Sequence, residues 1–313
     1  MTTEMQNLVA DLEANIAQVV LGKGEVVRLC VVALLAEDHV LLEDVPGVGK
    51  TLIGKALAKS VSAAFSRIQF TSDLLPSDIT GGNVFNPQTG QFVYTRGPIF
   101  GNIVLADEIN RTPPRTQSAL LEAMSDRQVT IDGQTYPLPQ PFMVIATQNP
   151  FEFEGTYPLP ESQLDRFLLR IAVGYPDRDD ELQVLASHRV GEPVDRLQHV
   201  LDAQQVVEVQ QAVRRVTVEG SVNAYLLDIV EATRHCDELR VGVSTRGALC
   251  LYRASQALAL VENRDFVTPD DVKRLAVPVL SHRVIAKGYL QQTQRQAIET
   301  LVARLVDEVP APR

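Results

Sequence analysis

The sequence is poor in the residues that build disulfides or histidine-bound metal sites. It has three cysteines, Cys30, Cys236 and Cys250, and their separations match neither a zinc-ligand nor a redox pattern. The five histidines are scattered and form no His-Glu-x-x-His motif, which argues against a catalytic metal held by histidines. We therefore expect free thiols of the kind found in a reducing cytoplasm.

The chain also lacks the features of membrane and secreted proteins. No apolar run approaches the roughly 18 residues of a membrane span, and the polar start, Met1–Gln6, has no signal-peptide core. The net charge of −10 argues against a basic surface that covers a whole domain, although a local basic pore is compatible with it. We expect a cytoplasmic protein without stable membrane insertion. Its 313 residues, 45% of them hydrophobic, suffice for one large or two ordinary packed domains.

Apolar runs alternate with helical patterns through the first part of the chain. Amphipathic helices are predicted at 4–20 and 25–37, and strands at Val40–Leu42, Ala63–Phe70, Ile103–Ala106, Phe142–Ala146 and Leu168–Val173. Strands this apolar are buried on both faces, so their alternation with helices predicts a parallel sheet in an α/β arrangement. Two hairpins, Gly82–Tyr94 and Val129–Pro137, interrupt the alternation, and we expect them at the surface.

After residue 174 the strand-like runs stop. Helical patterns follow at 178–189, 202–215, 221–236, 245–262 and 269–280. The segment Val190–Val200 contains Gly191 and Pro193 and is typical of a linker. We therefore predict an α/β domain at residues 1–190 and an all-helical domain at 195–313. The tetrapeptide Ser-His-Arg-Val occurs at 187–190 and again at 281–284, which we interpret as coincidence because no longer repeat surrounds it.

The run Glu43–Thr51, EDVPGVGKT, lies between the first predicted strand and a helical pattern. A strand, a glycine-rich turn ending in Gly-Lys-Thr and a helix form the layout of a phosphate-binding loop. Backbone N–H groups and the helix N-terminus attract phosphate, and Gly47 and Gly49 allow the backbone to approach it closely. Lys50 adds a cation between the outer phosphates, and the hydroxyl of Thr51 can ligate Mg²⁺.

One position departs from the strict loop pattern, which has glycine where this chain has Asp44. Aspartate tolerates left-handed backbone angles better than most residues, so we expect the loop to form. The alternative is a chance Gly-Lys-Thr after a strand.

The run Ile103–Glu108 is an apolar strand that ends in two acids. It delivers both carboxylates to the carboxyl edge of the sheet, where the phosphate loop also lies. Asp107 is placed to hold Mg²⁺, and Glu108 can polarise the attacking water. Acids often end strands, so the run is a weak signal alone and a strong one together with Gly49-Lys50-Thr51.

Three further positions are candidates, each with an ordinary alternative. Asn149 follows the next strand, where it is either a loop-start residue or a hydrogen-bond partner of the γ-phosphate or the attacking water. Arg166, or Arg170 just beyond it, is either a surface residue or a group that stabilises transition-state charge on a neighbouring subunit. Arg246 follows the predicted N-cap Ser244 and opposes the helix dipole, which suggests an external anion.

Together these motifs resemble the MoxR family of AAA+ ATPases along nearly the whole chain. The matching pieces are EDVPGVGKT (43–51), QFTSDLLPSDITG (69–81), GPIFGNIVLADEINR (97–111), TPPRTQSALLEAM (112–124), ATQNP (146–150), YPLPESQLDRF (157–167) and Ser244–Arg246. The resemblance implies a P-loop NTPase core of AAA+ type with two inserted β-hairpins, near 81–95 and 128–137. A small all-helical lid domain would follow, with ATP bound between the two.

The resemblance also implies a role for each matching residue. Lys50 and Thr51 would belong to the Walker A motif and Asp107 and Glu108 to Walker B, with Asn149 as sensor 1, Arg166 as the arginine finger and Arg246 as sensor 2. The loop residues around the phosphates would be Pro46, Gly47, Val48, Gly49, Lys50, Thr51 and Leu52. Residues Val20, Leu21 and Gly22 would line the adenine pocket.

The implied activity is Mg²⁺-dependent ATP hydrolysis by a homo-oligomeric ring, usually a hexamer. Such a ring would remodel or mature partner proteins, often with a von Willebrand factor A domain partner and in metal or cofactor insertion. A nucleic-acid motor of the helicase or origin-melting type is the alternative, but Val84–Tyr94 and Val129–Tyr136 contain no lysine or arginine to track a backbone. A slow ATP-dependent switch is a third possibility. No Asn-Lys-x-Asp element is present to bind guanine, which disfavours a GTPase.

Overall fold

The computed structural model describes residues 3–45, 47–149, 155–187, 189, 191–288 and 294–312. Within these ranges no helix is both long and apolar enough to cross a membrane. The helices are α1 Thr3–Ala17, α2 Gly24–Leu35, α3 Lys50–Ser60, α4 Pro76–Thr80, α5 Pro114–Asp126, α6 Glu161–Leu164, α7 Arg178–Ser187, α8 Ala203–Val213, α9 Gly220–His235, α10 Thr245–Val261, α11 Pro269–Leu280 and α12 Gln294–Glu308. The strands are β1 Val40–Glu43, β2 Phe65–Gln69, β3 Gly81–Asn86, β4 Gln91–Arg96, β5 Ile103–Asp107, β6 Gln128–Ile131, β7 Gln134–Pro137, β8 Met143–Gln148, β9 Leu169–Ala172, β10 Leu239–Val241 and β11 Ile285–Ala286.

Five of these strands form one parallel sheet in the order β2-β5-β8-β1-β9. Every residue of β1 and β5 is buried, as expected for strands covered on both faces. The sequence predicted all five strands, with ends that differ by at most two residues from those observed. Because the strands are parallel, the segments that follow β1, β5 and β8 meet at the carboxyl edge of the sheet. This edge is where the structure assembles its candidate site.

The two inserted hairpins are confirmed as antiparallel pairs outside the main sheet, β3 with β4 and β6 with β7. They contact each other, because Tyr94 stacks on Tyr136 with ring centroids 4.3 Å apart. The β3–β4 hairpin carries four apolar side chains that are about half exposed or more, Val84, Phe85, Phe92 and Val93. An apolar surface of this kind on a projecting hairpin is typical of an interaction site.

The helical part, from α8 onward, packs on α1 and α2 rather than standing apart from the sheet. One cluster of buried apolar residues runs through both regions. Gln210 of α8 donates a hydrogen bond to the carbonyl of Leu34 at 2.7 Å, and Arg28 of α2 pairs with Glu262 at 3.1 Å. The division between 1–190 and 195–313 stays a prediction, and the two regions share one apolar core.

Two features of the helical part were not predicted from the sequence. Strands β10 and β11 form a short antiparallel pair between the helices, and α12 closes the chain from Gln294 to Glu308. Strands of three and two residues are too short to give an alternating pattern. Helix α12 is amphipathic, but its apolar pattern did not lead to a prediction of a separate helix after residue 280.

Candidate active site

The phosphate loop forms between β1 and α3. Gly47 and Gly49 adopt left-handed φ angles of +87° and +90°, which side-chain-bearing residues adopt rarely. Gly49 is the N-cap of α3, so the first N–H groups of that helix point toward the loop. Pro46 lies outside the described residues. Lys50 is buried, and its ammonium donates to the carbonyl oxygen of Asp44 at 2.7 Å, which places its charge beside the helix N-terminus.

Asp44 plays a different part from the one predicted. It does not adopt the left-handed conformation that would have replaced a glycine. One carboxylate oxygen accepts the N–H of Val45 at 2.7 Å, and the other accepts the N–H of Gly174 beyond β9. The side chain therefore ties the start of the phosphate loop to the neighbouring edge strand. This explains physically why the loop tolerates aspartate at this position.

The carboxylate of Asp107, at the end of β5, is held from two sides. It accepts hydrogen bonds from the hydroxyl of Thr147 and from the guanidinium of Arg67, both at 2.6 Å. The same hydroxyl accepts the N–H of Glu108 at 2.9 Å, so one side chain orders both acids. Arg67 was missed from the sequence, although Arg67 and Gln69 alternate on one face of β2 in the manner of residues that share a face.

Glu108 has an unusual backbone and a constrained side chain. Its φ and ψ of 59° and 49° lie in the left-handed region, which costs a non-glycine residue on the order of 1–2 kcal/mol. Its carboxylate accepts from Gln69 Nε2 at 3.0 Å and pairs with Arg111 at 3.0 Å. Strained residues of this kind cluster at active sites.

These elements surround one cavity of about 680 Å³, a size that suits a small-molecule ligand. The predicted site residues that line it are Val20, Leu21, Gly47, Val48, Gly49, Lys50, Thr51, Leu52, Asp107, Glu108 and Asn149. The polar lining also includes Lys23, Lys55, Arg67, Gln69, Glu181 and Glu192, and the apolar lining includes Val19, Tyr175, Pro176, Val184 and Val194.

The cavity contains an oxygen-donor set that fits a magnesium ion. The hydroxyl of Thr51 and the carboxylate of Asp107 line the same space. Mg²⁺ binds through one or two protein oxygens and completes its shell with phosphate oxygens and water. Among the described residues no group of three or more histidine, cysteine or acidic side chains could hold a metal without such additional ligands.

Three predicted residues do not line the cavity. Gly22 packs against α7, where an added Cβ would come within 2.2 Å of the Asp180 carboxylate. Arg166 precedes β9, whose first residue pairs with the first residue of β1, so it lies at the amino edge of the sheet. Arg246 Nε lies 3.7 Å from the carboxylate of Asp165, at the same edge.

This placement corrects the expectation that ATP lies between the core and the helical lid of one chain. All the described residues that line the cavity precede position 195. The described part of the lid packs on α1 and α2 through the shared apolar cluster, and none of its described residues lines the cavity.

The two candidates for the arginine finger have different surroundings. Arg170 is bound inside the chain, since its Nε donates at 2.7 Å to Glu43, whose side chain is fully buried. Arg295 of α12 donates to the same oxygen at 2.7 Å. Arg166 is half-buried and donates at 2.6 Å to the carbonyl of Leu121 near the end of α5. A residue already paired with a buried carboxylate is poorly placed to reach another subunit, which favours Arg166.

Comparisons with known proteins agree with this architecture. Residues 39–169 match the model of the ATPase family associated with various cellular activities (AAA), and residues 231–305 match an AAA lid domain. The chain is 48% identical to an uncharacterised protein, YeaC, of Bacillus subtilis, over 99% of this chain and 96% of the relative. It is 39% identical to Chaperone MoxR1 of Mycobacterium tuberculosis, over 96% of this chain and 81% of the relative. The chain belongs to the MoxR family of AAA+ ATPases.

The structure of this MoxR-family ATPase resembles a solved one over its whole length. It superposes on the crystal structure of a provisionally assigned ATPase from Cytophaga hutchinsonii with a TM-score of 0.91. The two chains are 37% identical, and the match covers 99% of this chain and 96% of the other. The family and the fold together identify ATP hydrolysis as the activity.

Proposed function

We propose that this ATPase is a chaperone-like motor that remodels or matures partner proteins as a homo-oligomeric ring, with six subunits as the expected size. One observation carries the proposal. The phosphate loop, Asp107, Glu108 and Asn149 meet in one cavity, whereas Arg166 and Arg246 lie together at the opposite edge of the sheet. When arginines that an ATPase uses for hydrolysis lie away from its own nucleotide site, the simplest explanation is that they act on the nucleotide of a neighbouring subunit.

In the proposed reaction, Lys50 and the N–H groups at the start of α3 hold the outer phosphates. Glu108 orients and polarises the water that attacks the γ-phosphate, and Asn149 hydrogen-bonds to the same region. Thr51 and Asp107 would hold Mg²⁺, which neutralises phosphate charge when bound. The apolar lining of the cavity, which includes Val20 and Leu21, takes the adenine, and Gly22 supports that wall by packing against Asp180.

Gln69 and Arg111 hold the side chain of Glu108, the proposed general base, in a resting position. Both bind the carboxylate of Glu108, so the side chain is directed by the protein before any nucleotide arrives. A carboxylate engaged with a guanidinium is a poorer hydrogen-bond acceptor for water. We propose that hydrolysis requires Glu108 to exchange its contact with Arg111 for one with the attacking water.

The surface of the hairpins supports a protein client rather than a nucleic acid. The exposed side chains of the β3–β4 hairpin are apolar, and the hairpin tips contain no lysine or arginine. A nucleic-acid tracking element needs cations, whereas exposed apolar side chains suit segments of polypeptide. One relative bears the name of a chaperone. Within this proposal, a von Willebrand factor A domain protein is the expected adaptor, and metal or cofactor insertion the expected use, in the cytoplasm.

A trap experiment tests the proposal. Glu108→Gln protein, loaded with ATP, should retain client and adaptor proteins that it releases with ADP. Lys50→Ala protein is the control, because it should retain neither under either condition. Native mass measurement of the ATP-loaded trap gives the number of subunits. DNA-stimulated hydrolysis with strong salt dependence, and no protein retained in ATP, would replace the remodelling motor with the nucleic-acid motor.

A further inference from the structure

A buried cluster of charged groups joins the lid to the segment that carries Arg166. Arg283 lies just after α11, in the second Ser-His-Arg-Val tetrapeptide, and its side chain is 1% exposed. Its Nε donates to the carboxylate of Asp165 at 2.9 Å. Its other nitrogens donate to the carbonyls of Phe167 at 2.6 Å and Leu168 at 3.1 Å. A guanidinium from the lid is therefore enclosed by the turn that precedes β9.

The number of these bonds indicates a defined geometry rather than general packing. Burying a guanidinium costs several kcal/mol unless its donors are satisfied, and its planar fork fixes the direction of each bond. Three of the acceptors, the carboxylate of Asp165 and the carbonyls of Phe167 and Leu168, belong to one turn, and a fourth is the carbonyl of Val279 in α11. Arg166 is within that turn, so its backbone position is set by the lid residue Arg283.

The same carboxylate also faces the second arginine. One oxygen of Asp165 accepts from Arg283, and the other lies 3.7 Å from Nε of Arg246, whose side chain is half exposed. Arg246 is in the first turn of α10, next to Gly247, where an added Cβ would lie 2.9 Å from Cδ of Arg283. Asp165 thus contacts both lid arginines, and it immediately precedes Arg166.

We propose that Asp165 and Arg283 are a positioning pair, which holds Arg166 and Arg246 at a fixed separation so that both reach one nucleotide on a neighbouring subunit. The inference rests on the proposed function, in which these arginines act across a subunit boundary. Neither Asp165 nor Arg283 touches the nucleotide. When the lid docks on its own core, the pair fixes the positions of Arg166 and Arg246, and these positions determine the geometry of the nucleotide site on the neighbouring subunit.

Asp165→Asn is the mildest test, because the amide keeps the volume and one acceptor for Arg283 but loses the charge that attracts Arg246. A displacement of about 1 Å in a catalytic group can cost about 100-fold in rate, so a loss in kcat of about 10-fold or more is expected. The KM for ATP should stay within about twofold, because the cavity of the same subunit is unchanged. Asp165→Glu, which restores the carboxylate, should recover part of kcat.

Mixing subunits separates positioning from a defect in the variant's own site. Lys50→Ala subunits bind no ATP but retain intact Asp165, Arg166, Arg246 and Arg283. When they are mixed with Asp165→Asn subunits, the hydrolysis should exceed that of the Asp165→Asn protein alone. A chain that carries both substitutions should give no such rescue.

A matched control is available on the other side of the lid. Glu262 also bridges two arginines between core and lid, Arg28 and Arg274, and has a similar exposure to Asp165. Glu262→Gln should leave kcat and KM unchanged. Thermal unfolding of both variants shows whether either has lost the folded state, and Arg283→Lys, which keeps the charge but not the fork, provides a second variant.

Two results would overturn the positioning pair. One is an unchanged kcat in Asp165→Asn, and the other is a reduced kcat that mixing with Lys50→Ala subunits does not raise. Arg166→Ala in the same mixing experiment distinguishes this failure from failure of the proposed function. Rescue of Arg166→Ala without rescue of Asp165→Asn would refute the positioning role of Asp165 and Arg283 but not the proposed function. Absence of rescue for both would remove the action across subunits on which the pair depends.

Discussion

The two edges of the parallel sheet carry polar clusters that are built in different ways. At the carboxyl edge, Lys50, Asp107 and Glu108 follow neighbouring strands and are held by residues from the same strands and loops. At the amino edge, Asp165 is held by Arg283, which lies 118 residues further along the chain in the lid. Strand order alone assembles the first cluster, whereas the second forms only when the lid is docked.

This difference separates the effects of mutations at the two edges. A change at the carboxyl edge should act on the nucleotide of the same subunit, and subunits with an intact carboxyl edge should not repair it. A change at the amino edge should spare nucleotide binding and be repaired by mixing with subunits that carry an intact amino edge.

The largest effect that sharpens the comparison is expected for Arg166→Ala. Loss of an arginine finger costs about 10³-fold or more in kcat, because its guanidinium stabilises charge that develops in the transition state. ATP binding, measured with a fluorescent analogue, should be unchanged, and Lys50→Ala subunits should restore turnover. Arg304→Ala, which removes an exposed lid arginine paired with Glu238, is the control and should hydrolyse ATP normally. A matching loss of ATP affinity in Arg166→Ala would instead place this arginine in its own subunit's site.

Glu108→Gln tests the carboxyl edge. General-base assistance is worth about 10²–10⁴-fold, so single-turnover hydrolysis should fall by about that factor while ATP remains bound. Lys50→Ala subunits should not repair this defect, in contrast to Arg166→Ala. Gln69→Ala is the milder companion, since it releases one hydrogen bond to Glu108 without removing the base. Unchanged turnover in Glu108→Gln would exclude it as the group that activates water.

The same difference explains what could be predicted from the sequence. Asp107 and Glu108 follow an apolar strand, and Lys50 ends a glycine-rich turn, so local patterns located the carboxyl edge and the order of its motifs. Arg246 could be recognised as a candidate, but its distance from the cavity depends on how the lid packs on α1 and α2. The pairing of Glu43 with Arg295 was not predicted, because it joins residues 252 positions apart. Burial of a carboxylate at a strand end can be seen only in the folded chain.

Glu43 lies under the phosphate loop and connects the carboxyl edge to the lid. Its side chain is fully buried, and it accepts from Arg170 and Arg295 and from the amide of Gln148. Glu43→Gln removes the counter-charge of both arginines, and breaking a buried pair in this way costs about 3 kcal/mol. Urea unfolding measures the loss.

An exposed ion pair provides the contrast for Glu43. It involves Arg304 of α12, the helix that also carries Arg295. Glu238→Gln removes the partner of Arg304, with both side chains more than half exposed, and should change the free energy of unfolding by less than about 1 kcal/mol. Equal effects of the two substitutions would show that the buried pair contributes no more than a surface one.

The smallest expected effect is a pH dependence of the free energy of unfolding, which arises at the amino edge of the sheet, where the lid docks. Burial lowers the pKa of His282 well below its usual 6.5, and the charge of Arg283 lowers it further. The pKa of His39, at the start of β1, is also lowered by burial. Both imidazoles therefore take up protons at a lower pH in the folded protein than in the unfolded chain, where histidines bind protons below about pH 6.5. Stability should therefore fall as the pH decreases from 7 toward 5, and the contribution is absent above the unfolded pKa.

A difference measurement isolates this contribution from that of the carboxylates. His282→Asn cannot titrate, so the gap in free energy of unfolding between wild type and variant should narrow as the pH falls from 7.5 to 5.5. Asn223→Ala, which changes no titratable group at an exposed position of α9, is the control and should keep a constant gap. A gap that stays constant for His282→Asn as well would mean that the imidazole remains accessible to protons in the folded state. The lid would then be less tightly docked on the turn before β9 than the bonds of Arg283 indicate.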